Sequence, residues 1–178
     1  MKSRILLVFL IMFLSNNSLT AQDNQSLYDF SFEDIDGNQV NLKKFSGKPI
    51  LVVNTASRCG YTPQYANLQN LFLEYKDSDL TIIATTSNSF YQEYDEVEDI
   101  KKICLVNYGV GFVTSKPMNV KGSDAHPLYA WINNEYGKRP KWNFFKFLFD
   151  RNGKLVESWS SMTKPDSLKI TKQIDSLI

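Results

Sequence analysis

Two thiols, Cys59 and Cys104, carry the reactive potential of this 178-residue sequence. A cysteine can attack an electrophilic oxygen or sulfur, close a disulfide or hold a soft metal, and in each role the thiolate is the active species. The single histidine, His126, supplies neither a Cys–His pair nor a ligand cluster. Thr62 stands where a Cys-x-x-Cys motif beginning at Cys59 would place its second cysteine. The expectation is therefore thiol chemistry with no metal and no cofactor.

The elements around Cys59 are of the kind that make a thiol reactive. Pro49-Ile50-Leu51-Val52-Val53 is an apolar run of the sort a buried strand shows. Thr62-Pro63 is a capping residue followed by a proline suited to the first helical position. Cys59 thus lies on an elbow from a buried strand into a helix N-terminus. The unpaired amide N–H groups and the positive end of the helix dipole there favour a thiolate over a thiol. Cys104 falls instead on the apolar stripe Val97, Ile100, Cys104, Tyr108 of a helix expected over about 95–108. Residue type alone leaves it three readings: a structural disulfide partner, an inert core thiol, or a redox partner of Cys59.

In chain order, Leu27 to Ile35 alternates apolar and polar as a strand does, Asp36-Gly37 is a hairpin turn signal and Gln39–Leu42 reads as the return strand. The strand at Ile50–Asn54 leads through the elbow to a helix with Tyr65, Leu68, Leu71, Phe72 and Tyr75 on one face. Leu80–Thr85 is a second buried strand, and Thr86–Tyr94 reads as an exposed loop. After the Cys104 helix, with Gly109 as its C-cap, come a short strand near Phe112, a short helix from His126, a strand over Trp142–Phe149, a turn at Asp150–Gly153, the strand Lys154–Trp159 and a last helix after Pro165. Parallel strands joined by helices and closed by an antiparallel hairpin give one α/β domain over 22–178, a central mixed sheet flanked by helices with an N-terminal β-hairpin.

The sequence is 43% hydrophobic and 22% charged with a formal net charge of +1, which fits a globular domain and argues against a dedicated nucleic-acid surface. Met1–Arg4 is basic, Ile5–Leu14 is continuously apolar, and Ser15–Ala21 is polar with small residues. That order is expected of a secretory signal peptide cleaved after Ala21 and of a secreted or periplasmic protein without a stable membrane anchor, the apolar run being too short to span a bilayer. Removing residues 1–21 takes the formal charge from +1 to −1, since Lys2 and Arg4 leave with no acid.

Four blocks in order go further than the architecture. Val53-Asn54-Thr55-Ala56-Ser57-Arg58-Cys59-Gly60-Tyr61-Thr62-Pro63-Gln64-Tyr65 resembles the peroxidatic motif of the glutathione peroxidase family, and Tyr108-Gly109-Val110, His126-Pro127-Leu128-Tyr129 and Trp142-Asn143-Phe144-Phe145-Lys146-Phe147-Leu148 resemble three later blocks. The resemblance spans about residues 27–178 and implies a thioredoxin-like fold. It also implies a thiol peroxidase acting on hydrogen peroxide and organic or lipid hydroperoxides. By it, Cys59 is the peroxidatic cysteine, Trp142 and Asn143 donate N–H groups toward its sulfur, and Cys104 is the resolving cysteine of the thioredoxin-dependent branch. The reductant it implies is a thioredoxin-like protein or glutathione. The short connection between Trp131 and Trp142 implies a monomer with an open site.

The sequence departs from the family at one catalytic position. Ser89 stands where the family has a glutamine, and its side chain is shorter. Gln92 is the candidate to reach back in its place. That gap keeps two other functions in view: a redox-inactive binding member of the family, and an envelope thiol–disulfide oxidoreductase using Cys59 and Cys104.

Overall fold

In the computed structural model residues 25–178 are described; the expected signal peptide, 1–21, lies outside them. A five-stranded sheet forms the centre, in the order β5 (Val113–Thr114), β4 (Thr81–Thr86), β3 (Ile50–Thr55), β6 (Lys146–Phe149), β7 (Leu155–Trp159). β3 runs parallel to β4 and β4 to β5, whereas β6 is antiparallel to β3 and β7 to β6. β3 is central and buried along its whole length. Both of its faces are covered, which is why its sequence is a continuous apolar run and not an alternation.

Two apolar layers sandwich the sheet. Leu51 and Val53 of β3 point into one, with Leu68 and Leu71 of α1 (Gln64–Glu74), Ile100 of α2 (Val97–Lys101) and Ile170 and Ile174 of α4 (Leu168–Asp175). Ile50 and Val52 point into the other, with Leu128, Trp131 and Ile132 of α3 (Pro127–Tyr136) and Phe32 and Val40 of the hairpin β1 (Ser31–Glu33) and β2 (Gln39–Asn41). The hairpin is a separate two-stranded sheet whose turn places Gly37 at φ +90°, a conformation that favours glycine.

Four expectations need correction. Leu27–Asp29 is a 3₁₀ turn, because Ser26 and Asp29 form a reciprocal cap that ends any strand before Ser31. Thr62 does not cap α1; its hydroxyl turns back to the Cys59 loop. The 86–94 loop is not wholly exposed: Ser87, Phe90 and Glu93 are buried, and Tyr91, at φ +59°, carries the exposure. The strand expected from Trp142 begins only at Lys146, because residues 142–145 form a turn with Phe144 at φ +61°.

The helix expected over 95–108 is present but changes character. α2 continues directly into a π-helical stretch, Lys102–Asn107, with Cys104 inside it. Tyr108 N–H reaches back five residues to Ile103 O, and Gly109 ends the run at φ +61°. π-helical turns are uncommon and cluster at functional sites, since the wider turn packs backbone less well.

Candidate active site

Cys59 opens a run of tight turns leading into α1, in which Thr62 N–H donates to Cys59 O, Gln64 N–H to Tyr61 O and Tyr65 N–H to Thr62 O. The turn aims one backbone donor at the side chain. Tyr61 N–H donates to Cys59 Sγ at 3.4 Å, a bond that strengthens when the sulfur is negative. Thr62 Oγ1 accepts Cys59 N–H at 3.0 Å and donates to Ala56 O at 2.9 Å, tying the loop to the end of β3. Cys59 is 7% exposed, so its side chain is largely closed off from solvent.

Trp142 and Asn143 lie on the turn before β6. Their N–H groups make no hydrogen bond to Cys59 Sγ among the described residues. The indole of Trp142, 40% exposed, leans on Phe90 with ring centroids 5.3 Å apart. Asn143 is fully buried and its Nδ2 donates to Gln92 Oε1 at 3.1 Å. The backbone carbonyl of Gln92 accepts Arg58 N–H at 2.8 Å. Gln92 therefore bridges the Asn143 turn to the residue beside Cys59. Ser89 does not: its hydroxyl accepts Val120 N–H at 3.0 Å and is bonded to Ser87 Oγ, so it braces its own loop.

Cys104 is fully buried, and its thiol makes one long contact, to Lys101 O. Burial pushes the thiol up to about 11, only partly offset by nearby backbone N–H groups. Both cysteines are free thiols, so the structural-disulfide reading does not describe this conformation. His126 accepts Leu128 N–H on Nδ1 and caps α3, with burial lowering its pKa. Among the described residues no group of three or more His, Cys, Asp and Glu gathers to hold a metal.

Several residues that build the site were not picked out from sequence. Asn54, fully buried at the end of β3, donates through Nδ2 to Trp142 O and accepts Phe145 N–H on Oδ1, each at 3.0 Å. It ties the 142–145 turn to the strand that carries Cys59. Glu93 accepts Ser57 N–H at 3.0 Å and Tyr94 N–H at 2.9 Å. Lys146, fully buried, donates to Gln64 Oε1; Gln64 Nε2 donates to Ser161 O at 2.6 Å; and Ser161 Oγ donates to Asn143 O. The chain runs from a buried amine to the Asn143 turn. Available signals were polar residues in apolar company: Asn54 ending Ile50–Val53, and Lys146 between Phe145 and Phe147.

Burial lowers the Lys146 pKa to about 7. The unfolded chain binds this proton up to about 10.5 while the folded chain releases it above about 7, so the contribution of Lys146 is most unfavourable below pH 7 and is relieved as pH rises toward 10. The denaturation midpoint is expected to rise between pH 6 and 9 to the extent set by this group. Lys146→Met should raise the midpoint more at pH 6 than at pH 9, as denaturant titrations at the two pH values will read. Equal effects at both would assign the amine no such role.

Comparison with known proteins fits this geometry. A family model described as "Glutathione peroxidase" matches residues 27–133. The chain is 39% identical over 171 residues to "Hydroperoxy fatty acid reductase gpx1" of Synechocystis sp., covering 90% of this chain and all of that one. It is 40% identical over 159 residues to "Glutathione peroxidase-like peroxiredoxin 2" of Saccharomyces cerevisiae, covering 86% and 97%. The crystal structure "Trgpx in apo form" superposes with a TM-score of 0.70 at 36% identity, over 86% of this chain and 95% of that one. A solution structure of a putative protein disulfide isomerase from Bacteroides thetaiotaomicron superposes with a TM-score of 0.63 at 21% identity and shares the thioredoxin-like fold.

Proposed function

The chain belongs to the glutathione peroxidase family and is a peroxidase-type oxidoreductase, and from that premise we propose that it reduces organic and lipid hydroperoxides, as well as hydrogen peroxide, through Cys59 with Cys104 as resolving thiol. The observation that carries the reading is the seat of Cys59: a buried sulfur on the turns leading into α1, receiving Tyr61 N–H, on a loop that Arg58 N–H ties to Gln92 O and that the Gln92 side chain ties on to Asn143. The Cys59 thiolate attacks the terminal peroxide oxygen, the O–O bond breaks, the leaving alkoxide takes a proton, and Cys59 becomes a sulfenic acid. The Cys104 thiol then displaces water from that sulfur and forms the disulfide, which a dithiol reductant of the thioredoxin type reopens. Trp142 and Asn143 act as donors to the charge that develops on Cys59 and the departing oxygen.

Closing the disulfide must bring the two buried free thiols to bonding distance, and the π-helical stretch that carries Cys104 is the segment that gives way. The wide π turn and the thin hydrogen bonding of Cys104 support that opening. The pairing of two cysteines favours a protein dithiol over glutathione, and the short 131–142 connection favours a monomer. Residues 1–21 support export, with N-terminal sequencing of the mature protein, expected at Gln22, as the check.

The test is a thiol count before and after one equivalent of hydroperoxide. Wild type is expected to lose both thiols within one turnover, and Cys104→Ser to stop at the Cys59 sulfenic acid, seen by mass as a gain of one oxygen, with a second equivalent taking it to the sulfinic acid and a gain of two. Two unreacted thiols in wild type would refute the peroxidase reading and favour a binding protein; a disulfide that exchanges with protein thiols but ignores peroxide would favour the oxidoreductase. Gln92→Ala should lower the oxidation rate by about tenfold, since it removes the acceptor that holds the Asn143 side chain; an unchanged rate removes Gln92 from the site.

A further inference from the structure

We infer that Lys146 is a positioning residue for peroxide attack: its amine fixes the Gln64 amide, which through Ser161 braces the Asn143 turn against the Cys59 loop. This rests on the proposal that Cys59 is the peroxidatic thiol and Asn143 a donor to it. Two hydrogen-bonded braces join that loop to Asn143. The first is Gln92, whose backbone carbonyl accepts Arg58 N–H and whose Oε1 accepts Asn143 Nδ2. The second is Gln64, the first residue of α1. Its backbone N–H donates to Tyr61 O at 2.8 Å, and Tyr61 N–H in turn donates to Cys59 Sγ. Its side chain runs the other way, from Nε2 to Ser161 O at 2.6 Å, and Ser161 Oγ donates to Asn143 O. Asn143 Oδ1 is buried with no partner among the described residues, so Gln92 holds the side chain and Ser161 holds the backbone.

The amine decides which way the second brace points. Lys146 lies opposite Val53 of β3 and Trp159 of β7, and both of those side chains pack in the apolar layer on the α1 side of the sheet. Residues directly opposite one another share a face, so the Lys146 side chain crosses that layer to reach Gln64 Oε1. It is fully buried and makes no salt bridge among the described residues. A buried amine without a carboxylate is destabilising, and an unbranched apolar side chain would fill the same space at less cost. What an apolar side chain cannot do is orient the amide. The lysine ammonium only donates and the Ser161 carbonyl only accepts, so the Gln64 amide satisfies both in one orientation alone. Without the amine, Oε1 is left buried and unpaired, and Nε2 is no longer directed at Ser161 O.

Lys146→Met tests this because it separates rate from stability. The variant is expected to keep or raise the thermal midpoint, while oxidation of Cys59 by one equivalent of hydroperoxide slows about tenfold per folded molecule. A lysine with a merely structural role makes the rate follow the midpoint. Gln64→Glu is the second variant: its carboxylate still accepts from the amine but has no N–H for Ser161 O, and oxidation is expected to slow by a similar factor. Ser161→Ala cuts the last link. On that background Lys146→Met should add no more than about twofold, since both act through one path. A wild-type oxidation rate in folded Lys146→Met or Gln64→Glu overturns the assignment, as do losses that multiply in the double variant, or a rate that falls only where the midpoint falls. If wild type itself leaves Cys59 unreacted, the peroxidase reading fails and takes this assignment with it. A reactive wild type beside an equally reactive Lys146→Met refutes the positioning role alone.

Discussion

Cys59→Ser is expected to lose hydroperoxide reduction by about 10³-fold or more while leaving the fold intact. The substitution changes one atom in a side chain 7% exposed, and the backbone ties of the loop do not involve sulfur: Cys59 N–H still donates to Thr62 Oγ1, Thr62 N–H still donates to Cys59 O, and Arg58 N–H still donates to Gln92 O. What disappears is the nucleophile. A serine hydroxyl ionises far less readily than a thiol, and its hard oxygen is a poor match for the weak O–O bond. The Tyr61 N–H that stabilises a negative sulfur cannot make serine a comparable nucleophile. Cys104 cannot take over, because it is fully buried within a π-helical turn and its thiol is held near 11. The check is the initial rate of hydroperoxide consumption with a dithiol reductant, beside the thermal midpoint. More than a tenth of the wild-type rate in a folded variant would move the chemistry off Cys59.

The elbow that makes Cys59 special was legible because it is local. An apolar strand, a cysteine and a Thr-Pro pair within fourteen residues need no distant contact to be recognised, and β3 and α1 form there as expected. The Cys104 helix was legible as a helix, yet its π turn was not, because apolar spacing is nearly the same for the two helix types over six residues. Residues 142–145 were misread as strand for a related reason. Trp142, Phe144 and Phe145 have high strand propensity, and only the tertiary ties to Asn54 hold them in a turn with Phe144 at φ +61°. Ser89 and Gln92 show the same limit from the other side: which of two polar residues on one loop faces Asn143 depends on loop geometry, and the structure selects Gln92. Glu93 is a charged residue in a polar run, and nothing in its immediate neighbours marks it as buried, whereas Lys146 is flagged by the phenylalanines on either side.

Asn54→Ala should cost about 2–4 kcal/mol of stability and about 10- to 100-fold in peroxidase rate per folded molecule. The stability loss follows from the hydrogen bonds. Trp142 O loses its donor and Phe145 N–H its acceptor, and Asn54 is fully buried, so water cannot replace either partner without opening the core. The activity loss has a separate cause. The turn at 142–145 includes a non-glycine residue in a left-handed conformation, which persists only where its surroundings enforce it. Phe144 N–H donates to Asn54 O, but that backbone bond alone fixes one point of the turn, and the two side-chain bonds fix the points on either side. Without them the turn relaxes, and Trp142 and Asn143 lose the contacts to Phe90 and Gln92 that hold them in the positions required by their proposed donor role. Leu68→Ala is the comparison that separates the two effects. Leu68 is fully buried in one of the two apolar layers, and its truncation leaves a cavity worth about 2–5 kcal/mol while both side-chain hydrogen bonds from Asn54 to the 142–145 turn remain. Measured well below both midpoints, Leu68→Ala should retain wild-type rates while Asn54→Ala does not. Equal rates in the two variants would reduce Asn54 to a structural residue; a selective loss in Asn54→Ala would show that the central strand positions both sides of the site, carrying Cys59 on its C-terminal loop and holding the Trp142–Asn143 turn through one buried amide.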